Sequence, residues 1–301
     1  MNIIETQNLS RSFRNTEALS GLDLSLPEGK VAALLGPNGA GKTTTIKLLM
    51  NLLVPTAGTA RVLGVDSRRL GPAQFAQIGY VSENQQLPLW MTVGGLLDYC
   101  RPLYPTWDRD LERTLLKQFD LPLGRRLRLL SRGMLMKAAL LSSMAYRPKL
   151  LVLDEPFSGL DPLVREEFVR GVLEVSLSGD WTVLVSSHDI EEVERIADHV
   201  FLLDQGRLGL SESAESLQNR FRQVEVQLEG DSPAPPPNAL EWDRSGGLLR
   251  FVETGYSGEE TERQWRERFP GAVATAKPMA LREIFLAFAR ASRTQSKGVA
   301  A

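Results

Sequence analysis

The sequence holds a single cysteine, Cys100, and only two histidines in 301 residues. One thiol excludes an internal disulfide framework and any cysteine-cluster metal site, and it fits a reducing compartment. No stretch offers the roughly 20 consecutive apolar residues that span a bilayer. If the chain serves transport, another chain must supply the pore. The opening residues Met1-Asn2-Ile3-Ile4-Glu5 lack a basic start and an apolar run, so no signal peptide is expected. An excess of one charge is missing too. The 35 basic and 37 acidic side chains leave a formal net charge of −2, with no strong field toward nucleic acid or an acidic membrane. What is present is ordinary for a globular protein: 43% hydrophobic and 24% charged residues predict a core of normal size. The length allows one large domain, or a large and a small one. No internal repeat is visible.

Residues 1–30 alternate apolar and polar side chains in short runs, as in Leu22-Asp23-Leu24-Ser25-Leu26, which predicts antiparallel strands with one solvated face. Val31-Ala32-Ala33-Leu34-Leu35 is apolar throughout, as is a strand buried on both faces. A glycine-rich turn and a helix over about 41–51 follow. Apolar strands recur at Leu150-Leu151-Val152-Leu153 and Thr182-Val183-Leu184-Val185. Strand, loop and helix in repetition argue for an α/β core with a largely parallel sheet. Between these strands lies a mainly helical stretch, roughly 84–146. There Asp108 can cap a helix running to 118, and Ser131 one running to 146. After about residue 217 the composition shifts. The proline-rich run 232–237 reads as an exposed loop, with strands expected at 224–228, 240–242 and 248–252 and helices at 259–269 and 281–291. The expected division is thus 1–217 for a large domain, 218–291 for a small α+β appendage and 292–301 for a disordered tail.

The strongest chemical signal is Gly36-Pro37-Asn38-Gly39-Ala40-Gly41-Lys42-Thr43-Thr44, a G-x-x-x-x-G-K-[ST] phosphate loop directly after a buried strand. Its glycines let consecutive backbone N–H groups curl around a polyphosphate, and the following helix adds its positive end. Lys42 supplies a point charge for the β- and γ-phosphates, Thr43 a hydroxyl for Mg²⁺, and Thr44 reaches the α-phosphate side. The second signal is Leu150-Leu151-Val152-Leu153-Asp154-Glu155. Asp154, at the carboxyl end of a buried strand, can hold Mg²⁺ through water as the partner of Thr43. Glu155 can orient and deprotonate an attacking water, a role worth about 10² to 10⁴ in rate. Taken alone, an apolar run ending in two acids is equally well a strand followed by a helix cap. Beside a phosphate loop it points to a nucleoside triphosphatase.

Four further motifs, in order, resemble those of the ABC (ATP-binding cassette) family over about residues 3–215. Phe13 in Arg11-Ser12-Phe13-Arg14 sits where the family stacks an aromatic on adenine. Leu130-Ser131-Arg132-Gly133-Met134 resembles the signature sequence, commonly LSGGQ. Ser158-Gly159-Leu160-Asp161-Pro162 matches the D-loop, and His188 in Ser186-Ser187-His188-Asp189 matches the switch histidine at the γ-phosphate. The resemblance implies a P-loop NTPase core of ABC type, with a parallel sheet, an N-terminal antiparallel β layer and a helical subdomain at about 84–146. It also implies Mg²⁺-ATP as ligand and Glu155, His188 and Lys42 as catalytic groups. Ser131 and Gly133 would face the γ-phosphate held by a second subunit. Two copies, or one copy with a homologous partner, are therefore required, together with a separate membrane permease that would keep the chain at the cytoplasmic face of the membrane.

Two motifs depart from the family's pattern. Its Q-loop glutamine aligns with Glu83. A carboxylate still ligates Mg²⁺ but repels the γ-phosphate when metal is absent, so ATP binding is expected to depend steeply on Mg²⁺. A shifted loop would offer Gln85 or Gln86 instead. The signature carries Arg132 and Met134 in place of a glycine and a glutamine, and Arg132 is expected to add positive potential. This form, with Tyr104-Pro105-Thr106-Trp107-Asp108 and Leu281-Arg282-Glu283-Ile284-Phe285, resembles bacterial ABC-2-type exporter ATPases, including those linked to drug or antimicrobial-peptide resistance. Two other readings compete: a soluble ABC ATPase acting on nucleic acid or ribosomes, and a nucleotide-binding regulatory module without turnover. The first usually brings two cassettes, a long coiled coil or zinc cysteines, none of which occurs here, and no nucleic-acid partner is expected. Trp90, Met91, Tyr99 and Trp107 either pack the helical stretch or dock a permease helix. His199 reads as structural.

Overall fold

The alternation at the start of the chain builds strand β1 (Asn2–Phe13), which buries Ile3, Ile4 and Leu9 while Gln7 and Asn8 face solvent. β1 pairs antiparallel with β2 (Thr16–Leu22) and β3 (Ser25–Pro27). Next come β4 (Val31–Leu35), buried at all five positions, and helix α1 (Lys42–Leu49). The chain returns through β5 (Ala57–Val62), antiparallel to β1, and β6 (Val65–Asp66), which completes a layer in the order β2-β1-β5-β6 with β3 beside β1. A short helix α2 (Pro72–Phe75) leads into β7 (Ile78–Ser82). This computed structural model describes residues 1–14, 16–176, 181–228 and 234–298.

Three helices follow, α3 (Val93–Cys100), α4 (Arg109–Gln118) and α5 (Arg132–Met144). Thr92, Asp108 and Ser131 cap them, their side-chain oxygens accepting bonds from otherwise orphaned N–H groups in the first turns. The chain re-enters the core as β8 (Leu150–Asp154), α6 (Pro162–Ser176), β9 (Thr182–Ser187), β10 (His199–Asp204) and β11 (Arg207–Ser213). The main sheet runs β11-β10-β4-β9-β8-β7, parallel from β10 to β7. Its central strands β4, β9 and β8 are buried at every position because a parallel sheet is covered on both sides. The order sets the site. β4, β9 and β8 are neighbours, and each ends where one of the polar motifs begins.

The fold divides into two units at residues 211 and 212. The second contains α7 (Ala214–Arg220), β12 (Arg222–Gln227), β13 (Ala239–Ser245), β14 (Leu248–Glu253), α8 (Glu259–Arg268), β15 (Val273–Pro278) and α9 (Leu281–Gly298). Its sheet, β13-β14-β12-β15, is antiparallel throughout. Val224, Val226, Leu249, Phe251, Trp265 and Phe269 form its own core. The sequence boundary at 217 falls inside this unit, where Arg220 pairs with Glu212 at 2.6 Å. β15 is absent from the sequence reading because its residues are small and mostly exposed, as on an edge strand. α9 runs on to Gly298, where the sequence reads a disordered tail from 292. Residues 299–301 and part of the proline-rich loop lie outside the described residues.

Candidate nucleotide-binding and hydrolysis site

The loop after β4 closes over Lys42, whose side chain is only 5% exposed. Its Nζ donates to the carbonyl oxygens of Gly36 (2.7 Å) and Pro37 (3.2 Å) and lies 3.0 Å from Glu155 Oε1. Gly41 makes the turn possible. Its φ is 106°, in the left-handed region, and a Cβ there would stand 2.8 Å from the Ala18 carbonyl oxygen. At the start of α1, Thr43 Oγ1 donates to Asp154 Oδ1 at 3.1 Å. Ser186, at the end of β9, donates to the same oxygen at 2.8 Å and accepts the Glu155 N–H at 2.9 Å. Ser186 thus fixes both acids from the neighbouring strand, a role the sequence reading missed; its only signal was its place two residues before His188.

Glu155 leaves β8 with φ of 50°. This conformation costs a non-glycine residue about 1–2 kcal/mol. Its Oε2 meets His188 Nδ1 at 2.8 Å. Burial would raise the Glu155 carboxyl, but hydrogen bonds to His188 and Lys42 and the Lys42 charge outweigh it and hold the group below the ordinary carboxylate value. Asp154 shifts the other way. Burial raises it, reinforced by the Glu155 charge, and the bonds from Ser186 and Thr43 only partly offset this. Adjacent carboxyls are thereby shifted in opposite directions, Glu155 held toward its ionised form and Asp154 away from it.

These groups open into one cleft of about 300 Å³, lined by Ala18, Asn38, Gly39, Gly41, Lys42, Thr43, Thr44, Glu83, Glu155, Ser158 and His188. Gly36, Pro37 and Ala40 complete the loop behind it; Pro37 O accepts the Ala40 N–H at 3.1 Å. Glu83 is held in the cleft from three sides. Its N–H donates to the Asp154 carbonyl (2.9 Å), and its Oε1 accepts from Ser158 Oγ (2.7 Å) and from Arg132 (3.2 Å). Neither glutamine replaces it: Gln85 Oε1 accepts the Ser82 N–H within its own turn, and neither Gln85 nor Gln86 lines the cleft.

Phe13, Ser131, Gly133 and Asp161 are not among the lining residues, and neither is Asp154, which meets the lining through the Thr43 hydroxyl. Phe13 is 40% exposed, under the Arg11 guanidinium at 4.5 Å. Ser131 caps α5 through the Met134 N–H at 3.2 Å, and Asp161 Oδ1 accepts the Val164 N–H at 3.0 Å. A Cβ on Gly133 would meet Val164 at 2.9 Å, so α5 begins in close contact with α6. Arg132, expected to add positive potential, spends it on Glu83 of its own chain. Among the described residues no group of three or more His, Cys, Asp and Glu side chains is placed to hold a metal ion. Thr43, Asp154 and Glu83 offer hard oxygen donors only. That set fits Mg²⁺ arriving on phosphate oxygens with part of its water, since this ion seldom sits in an all-protein cage.

Beside the cleft, Glu83 also borders a smaller groove of about 100 Å³, shared with Leu87, Leu89, Arg132, Leu135 and Met136. Trp90 (72% exposed) and Tyr99 (58%) face solvent in the same helical stretch. Trp107 instead turns inward, its indole N–H donating to Glu112 at 2.6 Å. His199, outside the site, packs on Phe201 and contacts Ser211.

Comparison with known proteins agrees with this geometry. Residues 19–158 match the family model described as ABC transporter. The ABC transporter ATP-binding protein YtrB of Bacillus subtilis is 27% identical over 286 residues, 95% of this chain and 97% of the relative. The bacitracin transport ATP-binding protein BcrA of Enterococcus faecalis is 30% identical, covering 73% of this chain and 72% of the relative. Among solved structures, an ATP-binding subunit of an ABC transporter superposes with a TM-score of 0.65 at 28% identity, over 72% of this chain and 92% of the other. With a phosphate loop, a paired acid motif and a histidine at the ends of three adjacent strands, the chain belongs to the ATP-hydrolysing, ATP-binding subunits of the ABC transporter family.

Proposed function

We propose that this chain is the motor of an exporter, in which two copies, or one copy and a homologous partner, close around two Mg²⁺-ATP and drive a separate membrane permease. The observation that carries the reading is a division of labour. The groups that grip phosphate and activate water share one cleft, while Ser131 and Gly133, at the positive end of α5, are not part of its lining. An anion-binding helix end of this kind completes the site when a second subunit supplies it. ATP then bridges two surfaces, and its cleavage removes the bridging charge.

Within the site, Lys42 and the N–H groups of the phosphate loop bind the β- and γ-phosphates. Thr43 and Asp154, with Glu83, would hold Mg²⁺, which when bound would supply positive charge to the phosphate oxygens. Glu155 takes the proton of the attacking water, and His188 contacts the γ-phosphate. Phe13 stacks on the adenine, and Asp161 lies at the subunit interface. No helix among the described residues is long and apolar enough to cross a membrane; in this reading the permease supplies the pore and this chain works at its cytoplasmic face. The exposed Trp90 and Tyr99 of the helical stretch offer that permease a docking face. The direction we favour rests on a 36% identical relative named for daunorubicin/doxorubicin resistance, since removing a drug from the cell confers resistance to it.

Light scattering on Glu155→Gln tests the reading. With Mg²⁺ and ATP the variant should accumulate as a dimer, whereas without nucleotide it should be monomeric. A protein that stays monomeric with ATP, alone and with its permease, overturns the shared-site mechanism.

A further inference from the structure

The two departures from the family's sequence pattern, 49 residues apart, meet in space. Arg132 reaches back from the first turn of α5 to Glu83, in the loop after β7, with N–O separation of 3.2 Å. A third segment joins them: Ser158 donates to the same carboxylate oxygen at 2.7 Å. The neighbouring Gly159, at φ 68°, leaves room for the guanidinium, since a Cβ there would stand 2.7 Å from Arg132 Nη1. Glu83 lines the nucleotide cleft between Lys42 and Ser158, so its charge faces the space where a triphosphate binds.

We propose that Arg132 is a positioning and charge-compensating residue for Glu83, acting within its own subunit rather than on the partner's nucleotide. The inference rests on the nucleotide-binding reading above and assigns Arg132 a role that reading does not contain. A glutamine at position 83 would bring no charge to the cleft. A carboxylate brings a full negative charge against the phosphates, and opposite charge at hydrogen-bond distance cancels much of that field. Arg132 does this from outside the cleft, since it lines the adjoining groove and not the nucleotide site. The second oxygen of Glu83 accepts neither of these bonds and is available for a cation. The pair therefore lets this chain carry a stronger Mg²⁺ ligand than an amide while keeping nucleotide affinity when the metal is absent, so the Mg²⁺ dependence is shallower than Glu83 alone would give.

The test is a double-mutant cycle read by calorimetric ATP binding, in EDTA and in Mg²⁺, on wild type, Arg132→Ala, Glu83→Gln and the double variant. The Arg132 side chain is half exposed (52%), so the expected effect is modest. In EDTA, Arg132→Ala should weaken ATP binding about fivefold, the scale of a partly solvated ion pair. In the Glu83→Gln background the same substitution should change affinity by less than about twofold, because no charge remains to compensate. Arg132→Lys should recover most of the loss, which a purely steric role would not predict. Penalties equal in both backgrounds, or a lysine variant no better than alanine, overturn the proposal. Should wild type bind no ATP in either buffer, the functional reading itself falls and the pair with it. That outcome needs no variant and is thus distinguishable. Thermal melting of each variant without nucleotide confirms that the fold is retained.

Discussion

Replacing Glu155 by glutamine separates two properties that one carboxylate combines. The side chain is the proposed base, and it is also the anion that Lys42 holds at 3.0 Å before nucleotide arrives, with the two side chains only 12% and 5% exposed. Loss of the base should lower turnover by about 10² to 10⁴. Affinity should move in the opposite direction. Lys42 must exchange this carboxylate for phosphate oxygens, and a hydrogen bond to an ionised group is worth about 1.5–3 kcal/mol against roughly 1 for a neutral one. A glutamine therefore removes about 1 kcal/mol of competition, or about fivefold in the ATP dissociation constant. Steady-state phosphate release gives the first quantity and calorimetry the second. A rate within twofold of wild type removes Glu155 from the base role. Unchanged or weaker ATP binding refutes the Lys42 tie. In the wild type, the lowered Glu155 value keeps the base ionised through neutral pH, so its protonation should cost turnover only below the ordinary carboxylate range.

Two further outcomes follow from the geometry. Burial would raise the Glu112 carboxyl, but hydrogen bonds from Arg101 and Trp107 and the Arg101 charge hold it below its ordinary value. A lowered folded value means that this stabilisation is complete above the ordinary carboxylate range and fades as pH falls through the lower folded one. Glu112→Gln should thus cost about 1–2 kcal/mol at neutral pH, with its melting curve converging on wild type in acid; a pH-independent difference contradicts the ion-pair account. Gly41→Ala forces a Cβ to within 2.8 Å of the Ala18 carbonyl at a φ of 106°, so ATP affinity should fall at least about tenfold. Wild-type affinity in that variant would mean the loop adjusts freely.

The parallel core was legible because strands buried on both faces carry unbroken apolar runs, as β4 does throughout and β8 and β9 do before their polar ends. Helix starts at 108 and 131 were legible because capping is a local exchange between one side chain and the next N–H groups. The phosphate loop could be named from its spacing, Asp154 and Glu155 from their place beside such a loop, and His188 from its resemblance to the family's switch histidine; each lies at the end of such a strand. β15 could not, because its small, exposed residues carry little periodic signal. Nor could the pairing of Glu83 with Arg132 or the hold of Ser186 on both acids, because each joins segments far apart in the chain. Local sequence determined which chemistry the chain carries: strand, phosphate loop, acid pair, histidine. Only the sheet order β4-β9-β8 decided that these meet at one cleft, and only the packing of α5 between β7 and the start of α6 decided which charges neutralise one another. The physical reason is range: caps and turns are settled within a few residues, whereas fields and hydrogen bonds between strands depend on distances that chain closure alone sets.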